Sequence, residues 1–364
     1  MVSRLVVFVL AALASVPFAE ATFRMLGDSP SRDLGGLFQA FGEGSYKLAP
    51  NVVTDAALAS GHVSVYTDDL GLRCDRDRRF ATVPGDKIDV VVVGDSQGFG
   101  NGVNYEDSIA GSLARAADQD GYRVANTSVG GHSLKTQFSL IRWLHEEQHL
   151  EFANLVILLT PVMVANCDAD NHAIVGGDGR LYGQEVGPGM RVRKWMKTST
   201  VVYGRVRDAV RGLGVGLNPG EASPMVFSLY SPGDPEQQAR RALGSCLGKF
   251  LTYGTALGAS LQVVYVPLTI EADFDPTRRA AARHGIILDE QVPLRICAEV
   301  ADDLTLRLHS LKPTVIQAHA ERLTLNVKGD AHYSPALSRR CGKSVWDSLD
   351  LPRRTAREVT DAGD

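Results

Sequence analysis

Two short segments carry the residue types of a nucleophilic catalyst. Ser96 lies in Gly94-Asp95-Ser96, directly after a run of β-branched residues, where a strand is expected to turn into a helix. Asp330 and His332 lie two positions apart near the other end of the chain, and in an extended loop such residues point the same way. A serine hydroxyl needs a neighbouring base to become a good nucleophile. We therefore predict a triad in which His332 takes the proton of Ser96 and Asp330 orients the imidazole.

The elements around these residues predict an α/β fold. The strongest strand signal is Ile88–Val93, a continuous apolar run typical of a buried parallel strand. Further strands are expected at Arg123–Asn126, Leu155–Thr160, Leu261–Pro267 and Thr314–Gln317, and helices at Tyr105–Asp118, Thr136–Leu150 and Pro235–Leu257. Alternating strands and helices predict a parallel sheet covered on both faces. Sites in such sheets lie at the carboxyl ends of the strands, which is where Ser96 stands.

Several sequence blocks give the chain a resemblance to a known superfamily. Gly94–Asp107 has the sequence GDSQGFGNGVNYED, and Asn126–Ser133 has the sequence NTSVGGHS. Together with Asp330-Ala331-His332, they resemble the first, second and last blocks of SGNH, or GDSL-type, hydrolases and acyltransferases. Tyr66–Arg73 resembles a segment that often precedes the first block in membrane-anchored envelope members, and the short spacing of Asp330 and His332 resembles the last block of alginate acetyltransferase-like relatives. The resemblance spans roughly residues 62–346.

This resemblance implies a particular architecture and a set of oxyanion-binding groups. The implied fold is a three-layer α/β/α sandwich with a five-stranded parallel sheet in flavodoxin-like order, and the implied chemistry needs no metal or organic cofactor. The backbone N–H groups of Ser96 and Gly131 would form the oxyanion hole. The third block of the family usually adds an asparagine, but the corresponding positions here are Met163 and Val164. The nearest asparagine is Asn166, which completes the hole if a local insertion delivers it to the site.

The same resemblance implies chemistry on ester bonds. Ser96 would take an acyl group, and either water or a sugar hydroxyl would then accept it. The expected protein is therefore an exported serine esterase or O-acyltransferase, and the sequence does not choose between the two. The expected partner is an acylated carbohydrate, chiefly an acetylated polysaccharide of the cell envelope or its surroundings, or another small ester. The carbohydrate assignment rests on family analogy alone.

The N-terminus indicates export. Leu5–Ala19 is an uncharged apolar run behind Arg4, and Ala19-Glu20-Ala21 has the small-x-small pattern of a signal-peptide cleavage site. The run of 15 residues is shorter than the roughly 20 residues that a bilayer-spanning helix needs. Residues 1–21 are therefore either a cleaved signal peptide or an anchor that runs on into the following residues. Both place the remaining chain in the periplasm or cell envelope, and an anchor would associate it with the membrane.

Composition and length limit the remaining possibilities. Apolar residues make up 44% of the chain and charged residues 22%, which is typical of a globular protein. The net charge of −4 offers no basic field for nucleic acid.

The five cysteines show no metal-binding spacing, and up to two disulfides, whose pairing the sequence leaves open, could form in an oxidising compartment. We divide the chain into an N-terminal extension (22–87), a catalytic domain (88–346) with an insertion or lid (169–230), and a charged tail (347–364).

Other interpretations of the sequence stay open. His145-Glu146-Glu147-Gln148-His149 matches the H-E-x-x-H motif of zinc peptidases, although a solvated helix end explains it as well. Gly94-x-Ser96-x-Gly98 also matches the nucleophile elbow of α/β-hydrolases, although those proteins normally place several strands before the serine. A non-catalytic carbohydrate-binding or scaffold protein could retain the same fold. Arg191–Arg211 is either a solvated helix or a surface for an anionic polysaccharide, and His132 is either a pocket residue or a structural one.

Overall fold

The computed structural model describes residues 36–42, 45–58, 61–170, 173–175, 179, 181–183, 224–327 and 330–352. The apolar N-terminal run, the basic segment 191–211, most of the 169–230 insertion and the end of the charged tail lie outside these ranges. Among the helices within the ranges, none combines the length and the apolar character that a bilayer span requires.

The strands of the described residues are numbered along the chain. They are β1 (Phe38–Phe41), β2 (Ser45–Leu48), β3 (Val53–Leu58), β4 (Gly61–Thr67), β5 (Arg73–Cys74), β6 (Lys87–Val93), β7 (Val124–Asn126), β8 (Glu151–Leu159), β9 (Ala173–Val175), β10 (Leu181–Gly183), β11 (Ser260–Tyr265) and β12 (Arg307–Ser310). The first five belong to the N-terminal extension. There β1 pairs with β2, and β3, β4 and β5 form a second antiparallel sheet.

The central sheet consists of β6, β7, β8, β11 and β12. All its strands are parallel, and their spatial order is β12-β11-β8-β6-β7. Numbered by sequence within this sheet, the order is 2-1-3-4-5, which is the flavodoxin-like arrangement. The register aligns Val91 with Leu155 and Leu155 with Leu261. The predicted α/β class, the five-stranded parallel sheet and its flavodoxin-like order are therefore confirmed.

Helices cover both faces of this sheet. They are α1 (Ser96–Phe99), α2 (Ile109–Gln119), α3 (Leu134–Glu146), α4 (Pro161–Ala165), α5 (Pro224–Leu229), α6 (Asp234–Ala256), α7 (Asp275–Ala282), α8 (Val292–Asp303), α9 (Lys312–Ala320) and α10 (Pro335–Ser348). Because alternate residues of a strand face opposite sides, Val91 and Val93 of β6 pack in a core with α3, α6 and α8. Val90 and Val92 pack in a second core with α2, α9 and α10. The result is the expected three-layer sandwich.

One predicted strand is wrong. Thr314–Gln317 lies within α9, and the fifth strand of the sheet is β12, Arg307–Ser310. Among the strands that the structure describes, it pairs only with β11, at the edge of the sheet. Its Arg-Leu-His-Ser sequence therefore lacks the continuous apolar run that marks a parallel strand buried on both faces.

Candidate active site

Ser96 is the first residue of α1, a single helical turn that begins directly after β6. The side chain of Asp95 caps this turn: Oδ1 accepts a hydrogen bond from Gln97 N at 2.9 Å, and Oδ2 accepts one from the Thr160 hydroxyl at 2.5 Å. Burial raises the pKa of Asp95 above its ordinary value, although these hydrogen bonds and the charge of His332 act in the opposite direction. Because Thr160 follows β8, the cap ties together the ends of two neighbouring strands and positions Ser96 between them.

A buried arginine holds the segment that follows Ser96. The Arg73 guanidinium donates to the carbonyl oxygens of Phe99, Gly100 and Val103, the last two at 2.7 and 2.6 Å. It also lies over the Phe99 ring, 4.5 Å from the ring centroid. Burial lowers the pKa of Arg73 to about 10. Sequence reasoning assigned no role to Arg73, although it is the last residue of a segment that carried the family resemblance.

Asp330 and His332 form the hydrogen-bonded pair that their spacing predicts. His332 Nδ1 lies 2.6 Å from Asp330 Oδ1, and the imidazole is 19% exposed. Burial alone would raise the pKa of Asp330, but the hydrogen bond and charge of His332 and the backbone N–H groups of Ala331 and His332 lower it below its ordinary value. With its Nδ1–H donated to a carboxylate, His332 keeps Nε2 available as a base.

The loop of His332 is tied to the turn that carries Ser96. The side chain of Gln97, the residue after Ser96, donates to Ala331 O at 3.5 Å and accepts from Tyr333 N at 3.2 Å. These are the two chain neighbours of His332. One glutamine therefore connects the carboxyl end of β6 with the loop in front of α10.

Asn101 also contacts both sides. Its backbone N–H donates to Ser96 O at 3.0 Å, and its Nδ2 lies 3.4 Å from His332 Nδ1. Among the described residues, no hydrogen bond joins Ser96 Oγ to His332. Catalytic hydrogen bonds are often formed only once the substrate is bound. The predicted triad residues thus lie on two segments that contact each other, the start of α1 and the loop before α10, with their direct hydrogen bond still to be made.

The backbone groups predicted for the oxyanion hole lie beside the nucleophile. A Cβ added to Gly130 would lie 3.6 Å from Ser96 Cβ, so the Gly130–Gly131 loop passes directly against Ser96. Within the described part of the chain, neither Ser96 N–H nor Gly131 N–H has a hydrogen-bond partner. Unpaired N–H groups next to a nucleophile are the donors that an oxyanion requires.

Asn166 lies at the C-terminal end of α4 and is exposed. Its Nδ2 donates to Val162 O at 3.0 Å, so this amide is engaged within its own helix. The side chain lines a cavity of about 380 Å³ between α4, α5, α6 and α8. A role as third oxyanion donor would require the bond to Val162 to break, and it stays a prediction.

His132 is a structural residue. It is 3% exposed, its Nε2 lies 2.8 Å from Tyr46 O, and its Nδ1 lies 3.3 Å from Gln137 Nε2. Burial lowers the pKa of His132 to about 4. Of the two roles that the sequence left open, the buried position supports the structural one.

The H-E-x-x-H segment does not form the helical face that a zinc site needs. Helix α3 ends at Glu146, and His149 lies beyond it with a left-handed φ of 57°. His145 Nδ1 is 3.0 Å from Leu150 O, and Glu146 is paired with Arg142 at 2.8 Å. In the ranges that the structure covers, no three His, Cys, Asp or Glu side chains are grouped as metal ligands.

Comparisons with known proteins give matches among solved structures. No protein-family model matches the sequence, and no curated protein matches it. The chain is similar to Est24, a carbohydrate acetylesterase from Sinorhizobium meliloti, at 13% identity and a TM-score of 0.37, over 71% of this chain and 97% of that one. A putative lipolytic protein of the G-D-S-L family from Desulfitobacterium hafniense is similar at 12% identity and a TM-score of 0.38, over 72% of this chain and 99% of that one. TesA is similar at 17% identity and a TM-score of 0.37, over 73% of this chain and 98% of that one.

Proposed function

We propose that this chain is a serine esterase of the SGNH type that works through an acyl-serine intermediate. The observation that carries the proposal is the pair of His332 and Asp330, 2.6 Å apart, on a loop hydrogen-bonded to the turn of Ser96. A buried structural histidine would have both nitrogens occupied, as His132 has. Among the described residues, His332 has a partner at Nδ1 only, and its loop is hydrogen-bonded to the turn of Ser96, an arrangement that favours catalysis over a purely binding role.

In the proposed acylation, Ser96 Oγ attacks the ester carbonyl carbon while His332 Nε2 takes the hydroxyl proton. Asp330 stabilises the imidazolium that forms. The negative charge on the carbonyl oxygen is stabilised by the N–H groups of Ser96 and Gly131. Collapse of the tetrahedral intermediate breaks the bond to the alcohol, which leaves with the proton from His332.

Deacylation repeats these steps with a second nucleophile. His332 takes a proton from water, which attacks the acyl-serine and releases the acid and free Ser96. A carbohydrate hydroxyl in place of water would give transfer of the acyl group instead. The two outcomes differ only in the acceptor, so an assay must distinguish them.

The proposed substrate is an acetyl ester of a carbohydrate in the cell envelope or its surroundings. The sequence resemblance supports this class of substrate, and the apolar run Leu5–Ala19 supports export, by a cleaved signal or an anchor. The geometry supports ester chemistry, the resemblance supports the carbohydrate, and the N-terminus supports the compartment.

The test measures turnover of 4-nitrophenyl acetate by the full chain and by Ser96→Ala. The matched control is Ser128→Ala, because Ser128 Oγ is buried nearby and has no hydrogen-bond partner within the described residues. We expect Ser96→Ala to lose at least about 10³-fold in kcat and Ser128→Ala to retain activity. A fluorophosphonate should label Ser96 in the wild type only.

The other outcomes separate the alternatives. Activity that survives Ser96→Ala would overturn the triad, and activity removed by a chelator alone would restore the zinc hypothesis. Tight binding of an acetylated glycan without turnover would favour the non-catalytic module. With an acetylated oligosaccharide and an excess of sugar acceptor, released acetate indicates hydrolysis and a new acetyl ester indicates transfer.

A further inference from the structure

A tyrosine of the N-terminal extension contacts the loop that carries the oxyanion-hole glycine. Tyr46 lies on β2, is 4% exposed, and its hydroxyl donates to Gly130 O at 2.8 Å. A Cβ added to Gly131 would lie only 2.7 Å from this hydroxyl. The hydroxyl of Tyr46 therefore rests directly against the Gly130–Gly131 peptide.

The backbone of Tyr46 anchors the same loop a second time. The Gln137 side-chain amide donates to Gly94 O at 2.8 Å and lies 3.3 Å from His132 Nδ1. If that nitrogen accepts, the imidazole proton is on Nε2, which then donates to Tyr46 O at 2.8 Å. The rings of Tyr46 and His132 also meet edge to face, with centroids 4.8 Å apart. Strand β2 thus holds the loop by its side chain and by its main chain.

The contact matters because the central peptide of this loop can adopt two orientations. Val129 O accepts from His132 N at 3.2 Å, which closes a β-turn with Gly130 and Gly131 at its centre. Gly131 has a φ of 83°, the value of the third residue of a type II turn. Type I and type II turns differ by a rotation of the central peptide by about 180°. Two glycines present no side chain to oppose that rotation.

The carbonyl of Gly130 and the N–H of Gly131 belong to this one peptide. In a planar trans peptide these two groups point in opposite directions. A hydrogen bond that fixes Gly130 O towards Tyr46 therefore fixes Gly131 N–H towards the other side. If this peptide rotated, Gly131 N–H would point away from Ser96, and the carbonyl oxygen of Gly130 would point towards Ser96 instead.

We propose that Tyr46 is a positioning residue that holds the Gly130–Gly131 peptide with Gly131 N–H directed at the oxyanion formed on Ser96. The inference rests on the proposed esterase function and extends it: part of the N-terminal extension belongs to the catalytic apparatus. Tyr46 acts through the peptide and does not itself touch the substrate.

The test is Tyr46→Phe, which removes the hydroxyl and keeps the ring. We expect kcat for 4-nitrophenyl acetate to fall about 10-fold, less than the 10²–10³-fold of removing an oxyanion donor outright, with KM within about twofold. Inhibition by a phosphonate mimic of the tetrahedral intermediate should weaken by the same factor as kcat/KM. Binding of the product acid should not change. A purely structural role would lower the melting temperature without this selective loss.

The matched control is Tyr66→Phe, because Tyr66 is a half-buried tyrosine on β4 of the same extension. It should keep kcat and phosphonate affinity within about twofold of wild type. A second variant, His132→Phe, keeps a ring beside Tyr46 but cannot donate to its carbonyl, and we expect a similar loss of kcat. It also serves the test if Tyr46→Phe does not fold.

The two proposals fail in different ways. A wild type that neither hydrolyses the ester nor reacts with fluorophosphonate at Ser96 overturns the proposed function and with it this inference. An active wild type whose kcat is matched by Tyr46→Phe overturns the positioning role and leaves the esterase intact. A raised KM with unchanged kcat also overturns it, because Tyr46 would then contact the substrate.

Discussion

His332 Nδ1 lies 2.6 Å from Asp330 Oδ1, a short distance that indicates a charge-assisted hydrogen bond. A carboxylate at this position can only accept, so it selects the tautomer with the proton on Nδ1 and leaves Nε2 basic. Asn in place of Asp330 could donate to Nδ1 instead and would then leave the proton on Nε2. If the proposed triad operates, Asp330→Asn should lower kcat by about 10⁴-fold, the loss that this substitution causes in Ser-His-Asp triads.

Ester turnover at several substrate concentrations checks this expectation, since KM should change little. Asp77→Asn is a suitable control because Asp77 is an exposed aspartate far along the chain from the loop of His332. A kcat for Asp330→Asn within tenfold of wild type would show that Asp330 does not select the tautomer of His332.

Arg73 should be among the residues on which stability depends most. The residue is 1% exposed, and its guanidinium donates to three carbonyl oxygens of the segment after Ser96. Arg73→Met leaves these acceptors buried and unpaired, and we expect a loss of about 3 kcal/mol in the free energy of unfolding. Arg73→Lys should recover only part of it, because a single ammonium cannot match the planar fork of donors.

Urea denaturation measures the effect, with Arg79→Met as the control. Arg79 pairs with Asp118 at the surface, where its side chain is 65% exposed, so its loss should cost less than about 1 kcal/mol. Equal stability of the Arg73 and Arg79 variants would mean that water replaces the guanidinium at the three carbonyls.

The inner strands could be predicted from the sequence because burial on both faces requires continuous apolar runs. Val90–Val93 and Leu155–Leu159 satisfy this requirement and form the centre of the sheet. The edge strand β12 has one neighbouring strand and partly buried side chains, so its sequence carries no such run. The apolar pattern of 314–317 belongs to helix α9 instead.

The candidate site also contains contacts that local sequence predicts and contacts that it does not. The hydrogen bond between Asp330 and His332 could be predicted because the two residues are only two positions apart, while the catalytic roles of both residues and of Ser96 stay predictions. The bonds of Tyr46 to Gly130 and of Arg73 to Gly100 join residues 84 and 27 positions apart. Their existence depends on how the antiparallel strands of the extension pack on the parallel sheet, which no local pattern specifies.

Acidification should weaken the fold through His132. Burial lowers the pKa of His132 from 6.5 to about 4, so between these values the unfolded chain takes up a proton that the folded chain does not. The stabilisation of the fold by neutral His132 is complete above pH 6.5 and is lost as the pH falls through about 4. Between about pH 7.5 and pH 5, this group alone should remove about 2 kcal/mol.

Urea unfolding at both pH values, for wild type and His132→Phe, isolates the contribution of this histidine. Other groups titrate over the same range, but they contribute to both proteins and cancel in the difference. The variant should lose less stability on acidification than the wild type. Parallel losses would indicate that His132 is protonated in the folded state.

The five cysteines should be inert in the native protein. All five are buried and none is in a disulfide. Burial raises the pKa of the Cys74 thiol to about 12, whereas a hydrogen bond with Cys167 lowers the pKa of Cys246. Because burial keeps the reagent from every thiol, including Cys246, we expect no labelling by Ellman's reagent under native conditions and five labelled thiols after denaturation in guanidinium. Ester turnover should be unaffected by the reagent. Rapid loss of activity would place a reactive thiol at the site, and fewer thiols after denaturation would reveal a disulfide.

The contact between α2 and α10 should control the distance between the segment of Ser96 and the loop of His332. Helix α2 follows the segment of Ser96, and α10 begins three residues after His332. At their contact, a Cβ added to Gly342 would lie 2.4 Å from Ile109 O and 2.6 Å from Ser112 Cβ. Backbone atoms cannot yield as a flexible side chain would, so Gly342→Ala must push the helices apart.

We expect Gly342→Ala to lose about 2 kcal/mol of stability and to lower kcat more than KM, because the His332 loop moves relative to Ser96. Gly248→Ala is the matched control: Gly248 lies in α6, a Cβ there would meet nothing within 4 Å, and alanine favours a helix by up to about 1 kcal/mol. Thermal denaturation and ester turnover of both variants test the idea together. A stable Gly342→Ala with full activity would show that the two helices can separate without moving the loop of His332 relative to Ser96.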